Sequence, residues 1–152
     1  MTIAKICSRN VDLVDQDETV WQASVRMRQR AVGTLLVLNE WKQPIGIVTD
    51  RDIMERVVAE NRLASRTQVS AIMTRDPTSI GEDEPIQRAL ARMRRGGFRR
   101  LPVVDQEGKL VGLVSMDDIL MLLAGEIAQL GQVVQRETPR GIAEEPVLSR
   151  FE

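Results

Sequence analysis

The sequence predicts an α+β fold made of two copies of one small unit followed by a C-terminal helix. Three observations carry this expectation. Residues 7–54 lie on residues 73–120 without a gap, which marks an internal repeat. Each copy holds an apolar pattern at helical spacing, two short apolar runs split by a polar turn, and a second helical pattern. The chain has 152 residues, 43% hydrophobic and 28% charged, the balance of a soluble globular protein. Half of that length is close to the size at which a core is marginal, so the two copies are expected to share one.

The repeat keeps glycine, acid and apolar positions in register. Identical pairs include Arg9/Arg75, Asp17/Asp83, Glu18/Glu84, Ala23/Ala89, Arg26/Arg92, Met27/Met93, Leu35/Leu101, Gly46/Gly112, Asp52/Asp118 and Ile53/Ile119. Each copy opens on a short strand, near Val11–Val14 and Thr78–Ile80. An acidic stretch follows, Asp15–Glu18 or Glu82–Glu84, and precedes a helix with Val20, Ala23 and Met27, or Ile86, Ala89, Leu90 and Met93, on one face. Acids at its start and Arg28, Arg30, Arg94 and Arg95 at its end complement the helix dipole, and Gly96-Gly97 stops the second copy's helix. Leu35–Leu38 with Ile45–Val48, and Leu101–Val104 with Leu110–Val114, read as hairpins around turns containing Pro44 or Gly108. A second helix opens at Thr49 or Ser115. Asn61–Gln68 is polar and links the copies. The repeat ends at Gly125. Beyond it Ile127, Leu130, Val133 and Val134 form a stripe that predicts an extra helix over Glu126–Arg136, which would cover the module or a partner subunit. Pro139, Gly141 and Pro146 mark a loose tail. The domains are therefore drawn at residues 1–64, 65–125 and 126–152.

Composition narrows the chemistry. Net charge is −1, so no global field draws nucleic acid or an anionic membrane. The cluster Arg88, Arg92, Arg94, Arg95, Arg99 and Arg100 has only Phe98 beside it, which is no stacking platform, and reads as a solvated helix face. Histidine and tyrosine are absent, which removes His-based triads, His metal ligands and imidazole acid–base pairs. No catalytic constellation and no metal cluster is expected. The single cysteine, Cys7, reads as a small buried hydrophobe. With no signal-peptide pattern and no span-length apolar run, the expected location is the cytoplasm. Methionines lie on apolar stripes, and Trp41 falls in a polar turn suited to contacts.

Both hairpins close on the same spacing, Gly46-Ile47-Val48-Thr49-Asp50-Arg51-Asp52 and Gly112-Leu113-Val114-Ser115-Met116-Asp117-Asp118. A hydroxyl ends the strand and an aspartate stands three residues later, where the helix begins. As local structure this is a capping box. As a site, free N–H groups at a helix start suit phosphate, and a fixed carboxylate accepts hydrogen bonds from both hydroxyls of a ribose. One aspartate can do both. Thr49 and Arg51 would then face phosphate while Asp52 holds the sugar.

The tandem unit, the two G-h-x-[TS]-x-x-D endings and the run Arg99-Arg100-Leu101-Pro102-Val103-Val104-Asp105 resemble the cystathionine β-synthase (CBS) domain family over roughly residues 3–125. The resemblance implies two β-α-β-β-α domains packed through their sheets about a pseudo-two-fold axis, and usually a homodimer. It also implies an adenosine-type ligand (AMP, ADP, ATP, NAD or S-adenosylmethionine, with AMP the first choice) in the cleft between domains. Position by position, Asp52 and Asp118 would bind ribose, with Thr49 and Ser115 as hydroxyl partners. Gly33, Thr34 and Leu35, and Arg99, Arg100 and Leu101, would line the base pocket, with Thr78 against it. Copy one carries Leu36 and Asn39 where the family commonly has the Pro and Asp kept as Pro102 and Asp105. Copy two has Met116-Asp117 where copy one has Asp50-Arg51, with Arg99 and Arg100 placed to supply that anion from elsewhere in the cleft. The two sites are therefore expected to be unequal. The functional expectation is a non-catalytic nucleotide sensor that signals to a regulated partner by linkage, with a ligand-independent interaction scaffold as the alternative.

Overall fold

A computed structural model describes residues 1–137. Met1–Ile119 forms one compact unit, and the chain from Leu120 onward belongs to a second. In order, the elements are α1 (Val20–Arg30), β1 (Thr34–Leu38), β2 (Pro44–Thr49), α2 (Asp50–Ile53, running on into a π-helical stretch Met54–Val58), β3 (Thr74–Arg75), β4 (Ile80–Gly81), α3 (Ile86–Gly96), β5 (Arg100–Val104), β6 (Leu110–Ser115) and α4 (Met116–Glu137). The strands form two three-stranded sheets, β1-β2-β3 and β4-β5-β6. Both hairpins are antiparallel, and β4 joins β5 in parallel.

Local chemistry sets the ends of the helices. Thr19 caps α1 through a reciprocal box with Gln22, whose backbone N–H reaches the Thr19 hydroxyl while its side chain takes the Thr19 N–H. Helix α1 ends on Ala31 in the left-handed region, φ 53°, and α3 ends on Gly97 at φ 68°. The same position of the repeat thus needs the same conformation. Glycine meets it without strain and alanine does not.

The two copies are related by an exchange of their first strands. Strand β3 comes from the second copy yet pairs with β2 of the first, Ile47 opposite Thr74. Its repeat counterpart, Ser8, pairs with Leu113 of β6. The isolated bridges Thr2–Pro85 and Thr19–Gln68 are interchanged by the same operation. So are the backbone bonds from Ile3 N–H to Glu84 and from Val69 N–H to Glu18, each 2.9 Å. Three pairs of contacts obeying one operator establish a pseudo-two-fold axis. The exchange also shares the cores: Val69, Ile72 and Met73 of the second copy pack with Val20, Ala23, Met27, Leu35, Val37 and Val48 of the first. The crossing strand explains a shared glycine. A Cβ on Gly46 would lie 3.1 Å from Cγ of Met73 and also against its sulfur, and one on Gly112 would lie 2.8 Å from the Ser8 carbonyl oxygen.

Two expectations change. The strand at Val11–Val14 reduces to a single parallel bridge, Leu13 to Leu36, while its counterpart forms β4. No separate helix begins at Glu126, because α4 continues unbroken from Met116 through Gly125. One glycine costs a helix only about 1 kcal/mol, less than neighbouring good formers return. A cut between residues 64 and 65 separates the sequence copies but not the sheets, since β3 crosses it. The tail containing Pro139, Gly141 and Pro146 lies outside the described residues.

Candidate functional site

Both helix starts carry the reciprocal cap. Asp52 N–H donates to Thr49 Oγ1 at 3.1 Å, and Thr49 N–H donates to Asp52 Oδ2 at 2.9 Å. In the second copy Ser115 N–H and its hydroxyl both donate to Asp118 Oδ2, at 2.7 and 2.6 Å, and Asp118 N–H donates back at 3.1 Å. The cap uses one oxygen of each carboxylate. Asp52 Oδ1 lies 3.3 Å from Nη2 of Arg56, which is itself tied to the Ile72 carbonyl and the Thr74 hydroxyl at 2.6 and 3.1 Å. Arg56 thereby fastens the aspartate to the incoming strand.

A cavity of about 450 Å³ opens beside Asp52. Thr49, Arg51 and Asp52 come from the first copy, Thr78 from the stretch that precedes β4, and Arg99 and Arg100 from the start of β5. Ile47, Pro77, Phe98 and Pro102 supply apolar surface, and Glu55 and Asp76 add carboxylates. The site is composite. Arg51 Nε bonds Glu55 at 2.7 Å, and this hydrogen bond holds its guanidinium more firmly protonated than usual. Arg99 Nη2 reaches Asp117 at 3.1 Å, and both side chains are largely exposed. Arg100 is exposed and forms no ion pair with a described residue. Such a cavity offers apolar walls for a ring, a carboxylate for hydroxyl donors and three guanidinium groups for an anion.

Six of the residues expected at a site meet here: Thr49, Arg51, Asp52, Thr78, Arg99 and Arg100. The others do not. Leu35 and Leu101 are fully buried, and Leu35 belongs to the core cluster rather than a base pocket. Side chains alternate along a strand, so only Arg100 and Pro102 of β5 turn toward the cavity. Gly33, Thr34, Ser115 and Asp118 do not line it. Arg99 and Arg100 line the Asp52 cavity, and Arg99 also pairs with Asp117. The pairing of Asp52 with the other copy's arginines left no sequence signal, because the strand exchange that creates it has no periodicity. Phe98 and Pro102 could have been found as neighbours of Arg99 and Arg100; Arg56 could not.

Comparison with known proteins agrees with this geometry. The CBS domain family model matches residues 3–59 and 69–125. A protein of Methanopyrus kandleri is 33% identical over 122 residues, covering 80% of this chain and 62% of its own length. A 17.7 kDa protein of Acidianus ambivalens is 31% identical over 141 residues, 92% of this chain and 84% of its own. CBS domain-containing proteins of Arabidopsis thaliana are longer, and one that is 33% identical is matched over 24% of its length. Among solved structures, a putative signal-transduction protein with CBS domains from Burkholderia ambifaria superposes with a TM-score of 0.74 at 31% identity, covering 81% of this chain and 93% of its own. The CBS domain pair of protein MJ0100, in complex with 5′-methylthioadenosine and S-adenosylmethionine, gives a TM-score of 0.74 at 25% identity, covering 83% of this chain and 98% of its own.

Proposed function

This chain belongs to the CBS domain family, and on that premise we propose that it is a regulatory module whose Asp52 cavity takes a phosphorylated adenosine ligand. The carrying observation is the meeting of Asp52, Thr78, Arg51, Arg99 and Arg100 around one cavity of about 450 Å³, within the range that encloses small-molecule ligands. Asp52 accepts hydrogen bonds from the ribose hydroxyls while its cap with Thr49 stays in place. The apolar walls take the adenine, and the arginines take phosphate. MJ0100 with its two adenosine-type ligands supports the class. The guanidinium groups favour AMP, ADP or ATP over the sulfonium of S-adenosylmethionine, with AMP as the first candidate. Occupancy stabilises one arrangement of the two copies, and a regulated partner reads that arrangement. No helix among the described residues is long and apolar enough to cross a membrane.

Thermal shift with AMP, ADP, ATP, NAD and S-adenosylmethionine tests this. Ligand at a hundred times its dissociation constant stabilises by about 2.7 kcal/mol, a rise of roughly 5–10 °C at this size. The rise is expected with a phosphorylated nucleotide and is lost in Asp52→Ala. No rise with any of the five returns the reading to a ligand-independent scaffold, in which both aspartates act only as caps.

A further inference from the structure

Three guanidinium groups line the Asp52 cavity, and two of them already hold a carboxylate. Arg51 Nε bonds Glu55 at 2.7 Å, and Arg99 Nη2 bonds Asp117 at 3.1 Å. Arg100 is exposed in the same cavity and pairs with no described carboxylate. The lining is also balanced in sign, since Asp52, Glu55 and Asp76 stand against the three arginines. An incoming anion therefore finds one guanidinium ready and two occupied.

The backbone holds Asp117 beside Arg99. Met116 N–H donates to the Arg99 carbonyl at 2.8 Å, which fixes the first turn of α4 next to the start of β5. In the other half the equivalent bond runs from Asp50 N–H to the Gly33 carbonyl at 3.0 Å. There Gly33 stands in place of Arg99 and Arg51 in place of Asp117. The acid occurs only in the half that has an arginine for it to hold. All of these residues belong to the unit Met1–Ile119.

Two anions on one guanidinium repel each other. A phosphate that takes Arg99 must share it with Asp117 or displace it. One that takes Arg51 meets Glu55 in the same way. A monophosphate can be served by Arg100 alone, whereas each further phosphate needs a guanidinium that a carboxylate already holds. The Arg99 and Asp117 side chains are 64 and 67% accessible, so their pair is weak and the bias is severalfold rather than absolute.

Resting on the nucleotide reading above, we propose that Asp117 is a specificity-determining residue: by occupying Arg99 it biases the Asp52 cavity toward a nucleoside monophosphate over a triphosphate. Calorimetry with AMP and ATP on the full chain, wild type against Asp117→Asn, tests this. ATP binding should tighten about three- to fivefold, and AMP binding should change less than about twofold. In an Arg99→Gln background the same substitution should move ATP binding by less than about twofold, because the contested group is gone. Asp117 also complements the dipole at the start of α4, so Asp117→Asn should slightly lower the melting temperature of the ligand-free protein. A purely structural role would weaken binding along with stability, whereas competition moves the two in opposite directions. Three results overturn the proposal while leaving the nucleotide reading intact: no tightening, equal tightening for AMP and ATP, or tightening that persists without Arg99. Failure of both wild type and Asp117→Asn to bind either nucleotide overturns that reading and the proposal together.

Discussion

Beside Asp52 the structure gathers Arg99, Arg100 and Thr78; the positions related to these by the pseudo-two-fold axis, on the Asp118 side, are Gly33, Thr34 and Asp12. Asp12 is bound to Arg30 at 2.7 Å, Leu36 stands fully buried where the first cavity has Pro102, and Thr34 is buried with its hydroxyl unpartnered among the described residues. Asp117 also replaces Arg51. One arginine–glutamate clamp nevertheless repeats in both halves. Arg26 grips Glu18 and the Leu13 carbonyl, and Arg92 grips Glu84 and the Ser79 carbonyl, through the same atoms. The contrast shows what the exchange of strands constrains. Both halves must make the contacts that hold the exchange, whereas the cavity face is free to diverge, and one side has gathered arginines where the other has glycine, threonine and aspartate.

Placing the residues of the Asp118 side at the equivalent positions of the Asp52 side gives the largest expected effect. With Arg99→Gly and Arg100→Thr, ATP binding by calorimetry should weaken about a hundredfold, since each charge-assisted bond is worth about 1.5–3 kcal/mol. Adenosine binding should change less than about threefold. Equal losses for both ligands would mean that the arginines shape the cavity and do not read phosphate. Next is the pair of aspartates. Asp52→Ala should weaken nucleotide binding at least about tenfold and Asp118→Ala by less than about threefold; equal losses would erase the distinction between the halves. Smaller still is Thr34→Val. Replacing a buried, unpartnered hydroxyl with a methyl of the same shape should stabilise by about 1 kcal/mol, seen as a rise of about 2–5 °C in Tm. A fall would show that the hydroxyl has a partner in solution.

How far the sequence could carry this comparison depends on the range of each interaction. Hairpins and first helices were legible to within one or two residues, because Leu35–Leu38 and Ile86–Met93 carry their periodicity locally. The caps were legible from the spacing of Thr49 and Asp52 alone. The end of α1 was not: Ala31 takes a left-handed conformation that its side chain does not announce. Nor was the path of β3, since pairing across the repeat depends on which sheet edge is open and not on any pattern within Thr74–Arg75. The composite cavity inherits that blindness. Asp52 was identified as a candidate from its own copy, but Arg99 and Arg100, which share its cavity, lie in the other copy.

The smallest predicted effect tests the part of the molecule in which the halves are equal. Glu18 is held below the usual carboxylate range first by its hydrogen bonds from Arg26, at 2.6 and 2.8 Å, which outweigh its partial burial. For Glu84 burial acts first and upward, but the Gly81 N–H and Arg92 outweigh it, and the net shift is again downward. A carboxylate lowered in the folded state contributes stability above its unfolded value, about 4.3, and loses it as pH falls through the lower folded value. Tm should therefore fall with pH below about 4.3. Each pair is partly exposed, with arginine side chains 34% and 31% accessible, so its share is about 1 kcal/mol or less. Glu18→Gln and Glu84→Gln should each lower Tm near neutral pH by a few degrees and flatten the acid limb to the same extent. A limb flattened by only one substitution would show that the two-fold equivalence of the geometry does not extend to its energetics.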